Sequence, residues 1–192
     1  AKVVLRVDGV VAPCFSAPVV ELLTAREVAH HPALTGLGPD AIAEAFDANE
    51  VPARLRARPD LTIAEGLLLQ QAMAGVGNVF KSEILFLERV NPFTGIGDLS
   101  GEVLDRLIAQ SRRLLVFNRR RGFRQTRATL DPERRIWVYR RSGKPCYECG
   151  TPIQVRRQGE DARSTYFCPR CQGVPNFEPR AASHESSDRI LR

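Results

Sequence analysis

Two Cys-x-x-Cys pairs constrain this chain of 192 residues more than any other feature of its sequence. Cys146 and Cys149 form the first pair, and Cys168 and Cys171 form the second, after eighteen intervening residues. Each pair can place two thiolates on one ion, and two pairs complete the tetrahedron that zinc prefers in structural sites. The spacing therefore predicts one structural zinc ion bound by all four cysteines, with no coordination position left open for catalysis.

Disulfide bonds and redox chemistry are the rival uses of these cysteines. The sequence opens with no basic-then-apolar signal peptide and has no apolar run of the roughly 18 residues that a membrane span needs. These features indicate the cytoplasm and no membrane partner, and a reducing compartment disfavours disulfides. A redox motif would not be doubled. The fifth cysteine, Cys14, lies in an apolar stretch and is predicted to be a buried free thiol.

Basic side chains are concentrated in one third of the chain. Residues 112–170 contain sixteen Lys or Arg and five Asp or Glu, a net charge of +11, whereas the whole chain has a net charge of +6. Such a concentration is typical of a surface that binds a polyanion, although an ordinary solvated surface can have the same composition. The distribution favours a nucleic acid as the partner.

The first half of the chain changes from a strand pattern to a helical one. β-Branched residues around Asp8-Gly9 predict a hairpin, which is not stable alone. We therefore expect residues 1–24 to be the remnant of an N-terminal β-sandwich domain of a longer protein. Residues 25–122 are predicted to form a helical domain. Its predicted helices cover residues 41–46, 51–58, 62–73 with Thr62 as the N-cap, 79–88, and a long segment that starts at Ser100 and ends within 118–122.

The second half is predicted to be an irregular basic linker over residues 123–135, a zinc finger over 136–172 and a disordered tail over 173–192. Within the finger, residues 136–139 are expected to form a strand. A hairpin is expected to pair residues 153–157 with 163–167 across a polar turn.

The metal would make this small hairpin rigid enough to hold arginine side chains at fixed positions. The candidates are Arg156, Arg157 and Arg163. Guanidinium groups form paired hydrogen bonds with phosphate oxygens, so we expect these arginines to contact a phosphate backbone.

A glycine-rich turn between two predicted helices is the second unusual stretch. It contains Gly75, Gly77 and Asn78. Glycines let a backbone approach a ligand closely, and the next helix presents free amides at its positive end. Asn78 could cap that helix or donate its amide to a phosphate oxygen. A plain helix–helix turn would have the same composition.

Both stretches together resemble the formamidopyrimidine-DNA glycosylase and endonuclease VIII family. Residues 67–86 are similar to its helix–two-turn–helix motif, and residues 163–172 to the closing half of its zinc finger. The resemblance covers roughly residues 1–172. It implies a mainly α fold in which a helix–two-turn–helix bundle is followed by a four-cysteine zinc finger with a small β-hairpin.

The resemblance also implies a function in base-excision repair. Members remove damaged bases from double-stranded DNA and then cut the strand by β- and δ-elimination. In the family, the asparagine that matches Asn78 contacts phosphates beside the lesion. The arginine that matches Arg163 contacts the same phosphates and takes part in δ-elimination. The implied protein is a monomer that acts on the bacterial nucleoid in the cytoplasm.

Two departures from the family pattern refine these expectations. Members begin with an N-terminal Pro-Glu that supplies the nucleophile and the general acid, and this sequence has none there. We therefore expect these 192 residues to bind DNA without excising a base. Residues 119–130 are shorter than the loop of members that read 8-oxoguanine and have no glycine pair, which favours an endonuclease VIII-like enzyme for oxidised pyrimidines. An 8-oxoguanine-directed member and a non-catalytic zinc-ribbon protein are the alternatives.

Overall fold

The computed structural model describes residues 1–15, 17 and 19–174, and its contacts divide the chain into two compact units between Gly36 and Leu37. The first unit contains strands β1 (Val3–Val7) and β2 (Val10–Cys14), which pair antiparallel. The two residues of the connecting turn have φ angles of 47° and 80°, as a tight hairpin turn requires. The predicted hairpin is confirmed, whereas its origin in a β-sandwich stays a prediction, as do the predicted domain boundaries.

Two short helices complete the first unit, α1 (Ala25–His30) and α2 (Pro32–Thr35). Thr24 caps α1, because its side chain accepts a hydrogen bond from the Glu27 amide at 3.3 Å. Cys14 is exposed, so the prediction of a buried thiol is wrong. Every residue of β2 is exposed, and this hairpin therefore offers no interior in which a thiol could be buried.

The second unit is mainly helical. Its helices are α3 (Glu50–Arg56), α4 (Ile63–Gly66), α5 (Asn78–Leu87) and α6 (Gly101–Asn118). The predicted helices at 51–58 and 79–88 are confirmed with small shifts. The long helix begins as predicted after Ser100, whose hydroxyl accepts a hydrogen bond from the Val103 amide. Its apolar stripe is buried in one core with the other helices; the stripe consists of Leu104, Leu107, Ile108, Leu114 and Leu115.

The helix predicted over residues 41–46 is wrong, because the structure has turns there. The Ala41 amide donates to the Ala74 carbonyl at 3.1 Å and is therefore used in tertiary pairing. Gly38 allows this close approach of two backbone segments. A Cβ atom at Gly38 would lie 2.6 Å from the Ala72 carbonyl.

The helix predicted over residues 62–73 begins at Thr62, as expected, but ends after four residues. The side chain of Gln70 then takes the place of helical hydrogen bonds. Its Nε2 donates to the Val76 carbonyl, and its Oε1 accepts from the Gly75 amide, both at 3.0 Å. This side chain therefore bridges the loop that leads into α5.

The last part of the second unit is the finger, in which β3 (Gln154–Gln158) pairs antiparallel with β4 (Arg163–Phe167). This hairpin was predicted within one residue. The strand predicted over 136–139 is wrong, because three successive amides there donate to the carboxylate of Glu83 at 2.7–2.9 Å and cannot pair with a strand. Residues 123–135 are irregular, as predicted, apart from one 3-10 turn.

Within the described ranges, none of the helices is long and apolar enough to cross a membrane. The disorder predicted for residues 173–192 concerns a segment that lies almost entirely outside the described residues.

Candidate metal centre and nucleic-acid interface

The four predicted cysteine ligands come together in the finger. Their sulfur atoms all lie within 4.8 Å of one another. The Sγ atoms of Cys149 and Cys168 are 3.4 Å apart, and those of Cys146 and Cys171 are 3.9 Å apart. Four thiolates at about 2.3 Å from a tetrahedral zinc ion would be separated by about 3.8 Å. The observed spacing therefore fits zinc.

The thiols of Cys149 and Cys168 have pKa values that differ from the ordinary value of a cysteine thiol. Burial acts to raise the pKa of the Cys149 thiol, but hydrogen bonds from Thr151 act against it, and the pKa is lowered to about 6. Burial raises the pKa of the Cys168 thiol to about 11. A divalent cation supplies the positive charge that keeps such clustered thiolates deprotonated. With four sulfur ligands the ion has a structural role and no position for a substrate.

The loop between α4 and α5 contains the two predicted glycines, which have different roles. Gly75 has a φ of +111°, a conformation that side-chain-bearing residues rarely adopt. Gly77 has an ordinary φ of −111°, and a Cβ atom there would meet nothing within 4 Å. Gly77 therefore leaves open space beside the N-terminus of α5, where backbone amides and the helix dipole attract anions.

Asn78 is the first residue of α5 and does not cap it. Its side-chain oxygen, Oδ1, accepts a hydrogen bond from the Nζ atom of Lys81 at 2.7 Å. The acceptor end of the amide is thus occupied from inside the protein. Its Nδ2 group is the end left to donate to a ligand, which suits a phosphate oxygen.

The finger hairpin separates the predicted arginines. Residues that pair across an antiparallel hairpin share a face, and Arg163 pairs with Gln158 while Arg157 pairs with Ser164. Arg156 and Arg163 therefore lie on one face, and Arg157 lies on the other. All three are exposed.

The face with Arg163 is the one that contacts the helices. On this face, the Nε2 atom of Gln158 donates to the Thr62 hydroxyl at 3.2 Å. The hydroxyl of Thr165 accepts from Lys81 Nζ at 2.8 Å. Successive residues on one face of a strand are about 7 Å apart. Arg163 therefore stands about 7 Å along the strand from Thr165 and its contact with α5.

Three consecutive residues of α5, Lys81, Ser82 and Glu83, join the helix to the finger; we call them the polar triplet. All three are buried. Lys81 Nζ donates to the Ser164 carbonyl at 3.1 Å as well as to the Thr165 hydroxyl. The hydroxyl of Ser82 accepts from the Tyr166 amide at 3.3 Å. Each residue of the triplet thus has a hydrogen-bond partner in the finger or in the segment that leads into it.

Glu83 makes the most hydrogen bonds of the triplet. It accepts from three successive amides and from the Thr126 hydroxyl. Burial raises the pKa of this carboxyl group, and the four hydrogen bonds act in the opposite direction. Its four donors tie the linker and the entry to the finger to one side chain of α5.

Comparison with known proteins agrees with this architecture. Residues 37–122 match the formamidopyrimidine-DNA glycosylase H2TH domain, and residues 143–174 match the zinc finger found in FPG and IleRS. A probable endonuclease 8 2 of Streptomyces coelicolor is 36% identical over 180 residues, which are 93% of this chain and 64% of that protein. The chain belongs to the formamidopyrimidine-DNA glycosylase and endonuclease VIII family. The zinc-finger match and the four-cysteine cluster support one structural zinc ion.

Other relatives in the family match over a similar region. The DNA-(apurinic or apyrimidinic site) lyase Nei2 of Mycolicibacterium smegmatis is 40% identical over 140 residues, 73% of this chain and 54% of that protein. MutM (Fpg) of Thermus thermophilus superposes with a TM-score of 0.65 at 32% identity, covering 77% of this chain and 57% of that one. Lactococcus lactis Fpg in complex with abasic-site DNA also superposes with a TM-score of 0.65, at 26% identity, covering 78% of this chain and 56% of that one. The chain thus spans little more than half the length of most of these relatives.

A cleft of about 280 Å³ opens beside the end of α6 in this family member. Phe80, two residues after Asn78, lies on one side of it. Its remaining lining is contributed by residues at and after the end of α6: Asn118, Arg121, Gly122, Phe123 and Arg124. Aromatic rings and guanidinium groups are suited to stacking on a nucleobase and to contacting its phosphate.

Sequence reasoning missed the polar triplet and Gln70. One signal was present for the triplet. The four residues that follow it, 84–87, are all apolar and together cover the whole circumference of a helix. A helix that is apolar all round is buried, and polar residues within it then need partners from other parts of the chain.

Proposed function

We propose that this chain is the DNA-binding part of a base-excision-repair DNA glycosylase and AP lyase, which removes oxidised bases from double-stranded DNA and cuts the strand by β,δ-elimination. One observation carries the proposal. A single lysine, Lys81, bonds to the side chain of Asn78 and to the backbone of Ser164, the neighbour of Arg163. Two groups suited to binding phosphate, on motifs far apart in the sequence, are therefore held together. The names of the relatives support the activity.

Phosphate binding is assigned to three groups. The open N-terminus of α5 beside Gly77 supplies backbone amides, and Asn78 supplies its Nδ2 group. Arg163 supplies a guanidinium, which the family resemblance assigns also to δ-elimination. Arg163 forms an ion pair with Asp161 at 3.3 Å, and both side chains are exposed. Such a pair is weak, so a phosphate can replace Asp161. Arg156 shares the face of Arg163 and is assigned a supporting contact.

We propose the endonuclease VIII-like branch, with oxidised pyrimidines as substrates. Curated relatives of 36–40% identity include several that are named endonuclease 8 or Nei2. The short loop over residues 119–130 favours the same branch, and we assign the cleft beside Phe80 to the displaced nucleotide. Relatives named formamidopyrimidine-DNA glycosylase reach 38% identity, so an 8-oxoguanine-directed enzyme is the second candidate. We expect a monomer that acts on the bacterial chromosome.

Fluorescence anisotropy tests DNA binding directly. The probe is a labelled duplex that carries a tetrahydrofuran analogue of an abasic site, titrated at several salt concentrations. Each phosphate that the basic surface neutralises should contribute about −0.9 to the slope of log K against log salt. We expect a steep negative slope. No binding, or binding that salt does not weaken, would contradict the proposal.

The enzymatic part is tested on the product of the complete reading frame. Borohydride trapping on duplexes with an oxidised pyrimidine or with 8-oxoguanine captures a Schiff base between enzyme and sugar. Trapping on the pyrimidine lesion supports the proposed branch, and trapping on 8-oxoguanine alone supports the second candidate. If neither duplex is trapped, the protein is a non-catalytic zinc-ribbon DNA-binding protein.

A further inference from the structure

Lys81 is a buried charged residue to which the proposed function assigns no contact with DNA. Its side chain is 1% exposed, and lysine is almost never fully buried without a charged partner. All three of its hydrogen-bond acceptors are neutral: Asn78 Oδ1, the Ser164 carbonyl and Thr165 Oγ1, at 2.7, 3.1 and 2.8 Å. The ammonium group has three donors, so its hydrogen-bonding capacity is filled.

The volume that the Lys81 side chain occupies does not by itself require an ammonium group. Burying an ammonium group among neutral partners is costly, and an apolar side chain of the same length would avoid that cost. The ammonium group contributes directional hydrogen bonds, which an apolar side chain could not make. It binds the oxygen end of the Asn78 amide and holds β4 next to the start of α5.

We propose that Lys81 is a positioning residue for DNA binding, which orients the Asn78 amide and holds Arg163 at a fixed place beside it. This inference rests on the proposed function. Because Asn78 Oδ1 accepts from Lys81, Nδ2 is the end of the amide that is left to donate. By bonding to the residues after Arg163, Lys81 keeps the end of the hairpin next to the same surface. A phosphate backbone then meets both donors without the cost of ordering them.

The test is a set of variants in the 192-residue chain, measured with the tetrahydrofuran duplex. Lys81→Met keeps the length of the side chain and removes all three donors. We expect its affinity to fall about tenfold or more, because two donors to phosphate lose their orientation. Lys81→Arg keeps the charge and the donors and should recover part of the affinity. If Lys81 only filled space, methionine would replace it better than arginine.

A double-mutant cycle with Asn78→Ala separates orientation from general weakening. In the Asn78→Ala background, Lys81→Met should reduce the affinity for the duplex much less than it does in the native chain. Additive losses of affinity would overturn the inference. Thr165→Val is the milder variant, since it removes only one bond to the finger. Zinc content and melting temperature show whether each variant is folded.

A measurement without DNA keeps this inference separate from the proposed function. The side-chain amide resonances of Asn78, identified by their loss in Asn78→Ala, report its orientation in the free protein. We expect both resonances to be displaced from the chemical shifts of free asparagine in the native chain and to lie close to those shifts in Lys81→Met. Unchanged resonances would overturn the positioning role even if the native chain binds DNA. A native chain that binds no duplex would contradict the proposed function and with it the role of Lys81 in binding.

Discussion

Arg163 and Arg157 lie on opposite faces of the finger hairpin, although they are only six residues apart in the chain. The face of Arg163 contacts α5 through Thr165, and the face of Arg157 does not share that contact. Arg163 therefore lies on the face of the hairpin that contacts α5, the helix whose first residue is Asn78.

This arrangement predicts unequal effects for two substitutions that remove the same charge. Arg163→Ala should weaken binding to a lesion-containing duplex by about 1.5–3 kcal/mol, because a charged hydrogen bond to phosphate is lost. Arg157→Ala, on the other face, is the matched control and should cost less than about 1 kcal/mol. Anisotropy titrations of both variants at one salt concentration check this. Equal losses would mean that the face of the hairpin does not matter.

Gly75 and Gly77 predict opposite outcomes for the same substitution. Gly75→Ala should lower the free energy of unfolding by about 1–3 kcal/mol, because φ of +111° is strained for alanine. Gly77→Ala should leave stability within about 0.5 kcal/mol, since its φ is ordinary and its surroundings are open. Gly77→Ala should nevertheless weaken DNA binding, because its methyl group would occupy the space beside the α5 amides. Chemical denaturation and anisotropy measure the two effects separately.

Removal of zinc should unfold the finger and leave the helices folded. The buried finger residues pack with Phe86 of α5 in an apolar cluster that is separate from the larger core of the helices. The native chain should contain one zinc ion, which chelation or Cys168→Ser should remove. The dispersed NMR resonances of β3 and β4 should then be lost, together with the affinity for DNA. Cys14→Ser, at the exposed fifth cysteine, is the control and should keep the zinc. Retention of zinc by Cys168→Ser would be inconsistent with this site.

Lys81 predicts a pH-dependent stability. Burial lowers its pKa to about 8, with the positive charge of Arg163 acting in the same direction and Glu65 against it. An unfolded lysine titrates near 10.4. Between these values the unfolded state binds more protons than the folded state, so stability should rise with pH across this window.

Relative to Lys81→Met, the native chain should therefore gain about 3 kcal/mol in free energy of unfolding as the pH rises from roughly 8 to roughly 10.5. Denaturant titrations at a series of pH values measure this difference. Lys144→Met, at an exposed lysine, controls for the loss of one positive charge. A difference between native and variant chains that stays flat over the window would contradict the prediction.

Features that depend on neighbours in the chain could be predicted from the sequence alone. The four cysteines and the hairpin between them follow from spacing. The start of α6 follows from Ser100, and the start of α4 from Thr62, because a capping side chain bonds to an amide three residues later. The first hairpin follows from Asp8-Gly9, whose turn conformation is local. The helix starts and the first hairpin were predicted correctly because their determining bonds lie within a few residues of one another, and each cysteine pair because only two residues separate its members.

The tertiary structure decided what those local rules could not. Residues 41–46 and 136–139 have local patterns of helix and strand, but the Ala41 amide bonds to Ala74, and the amides of residues 137–139 bond to Glu83. Both partners are distant in sequence. The same is true of Lys81, whose bonds to β4 join the two motifs of the candidate site. Hydrogen bonds between residues so far apart in the chain leave no periodic signal in a sequence. They form only when the apolar face of α5 is buried and its polar groups must find partners from the finger.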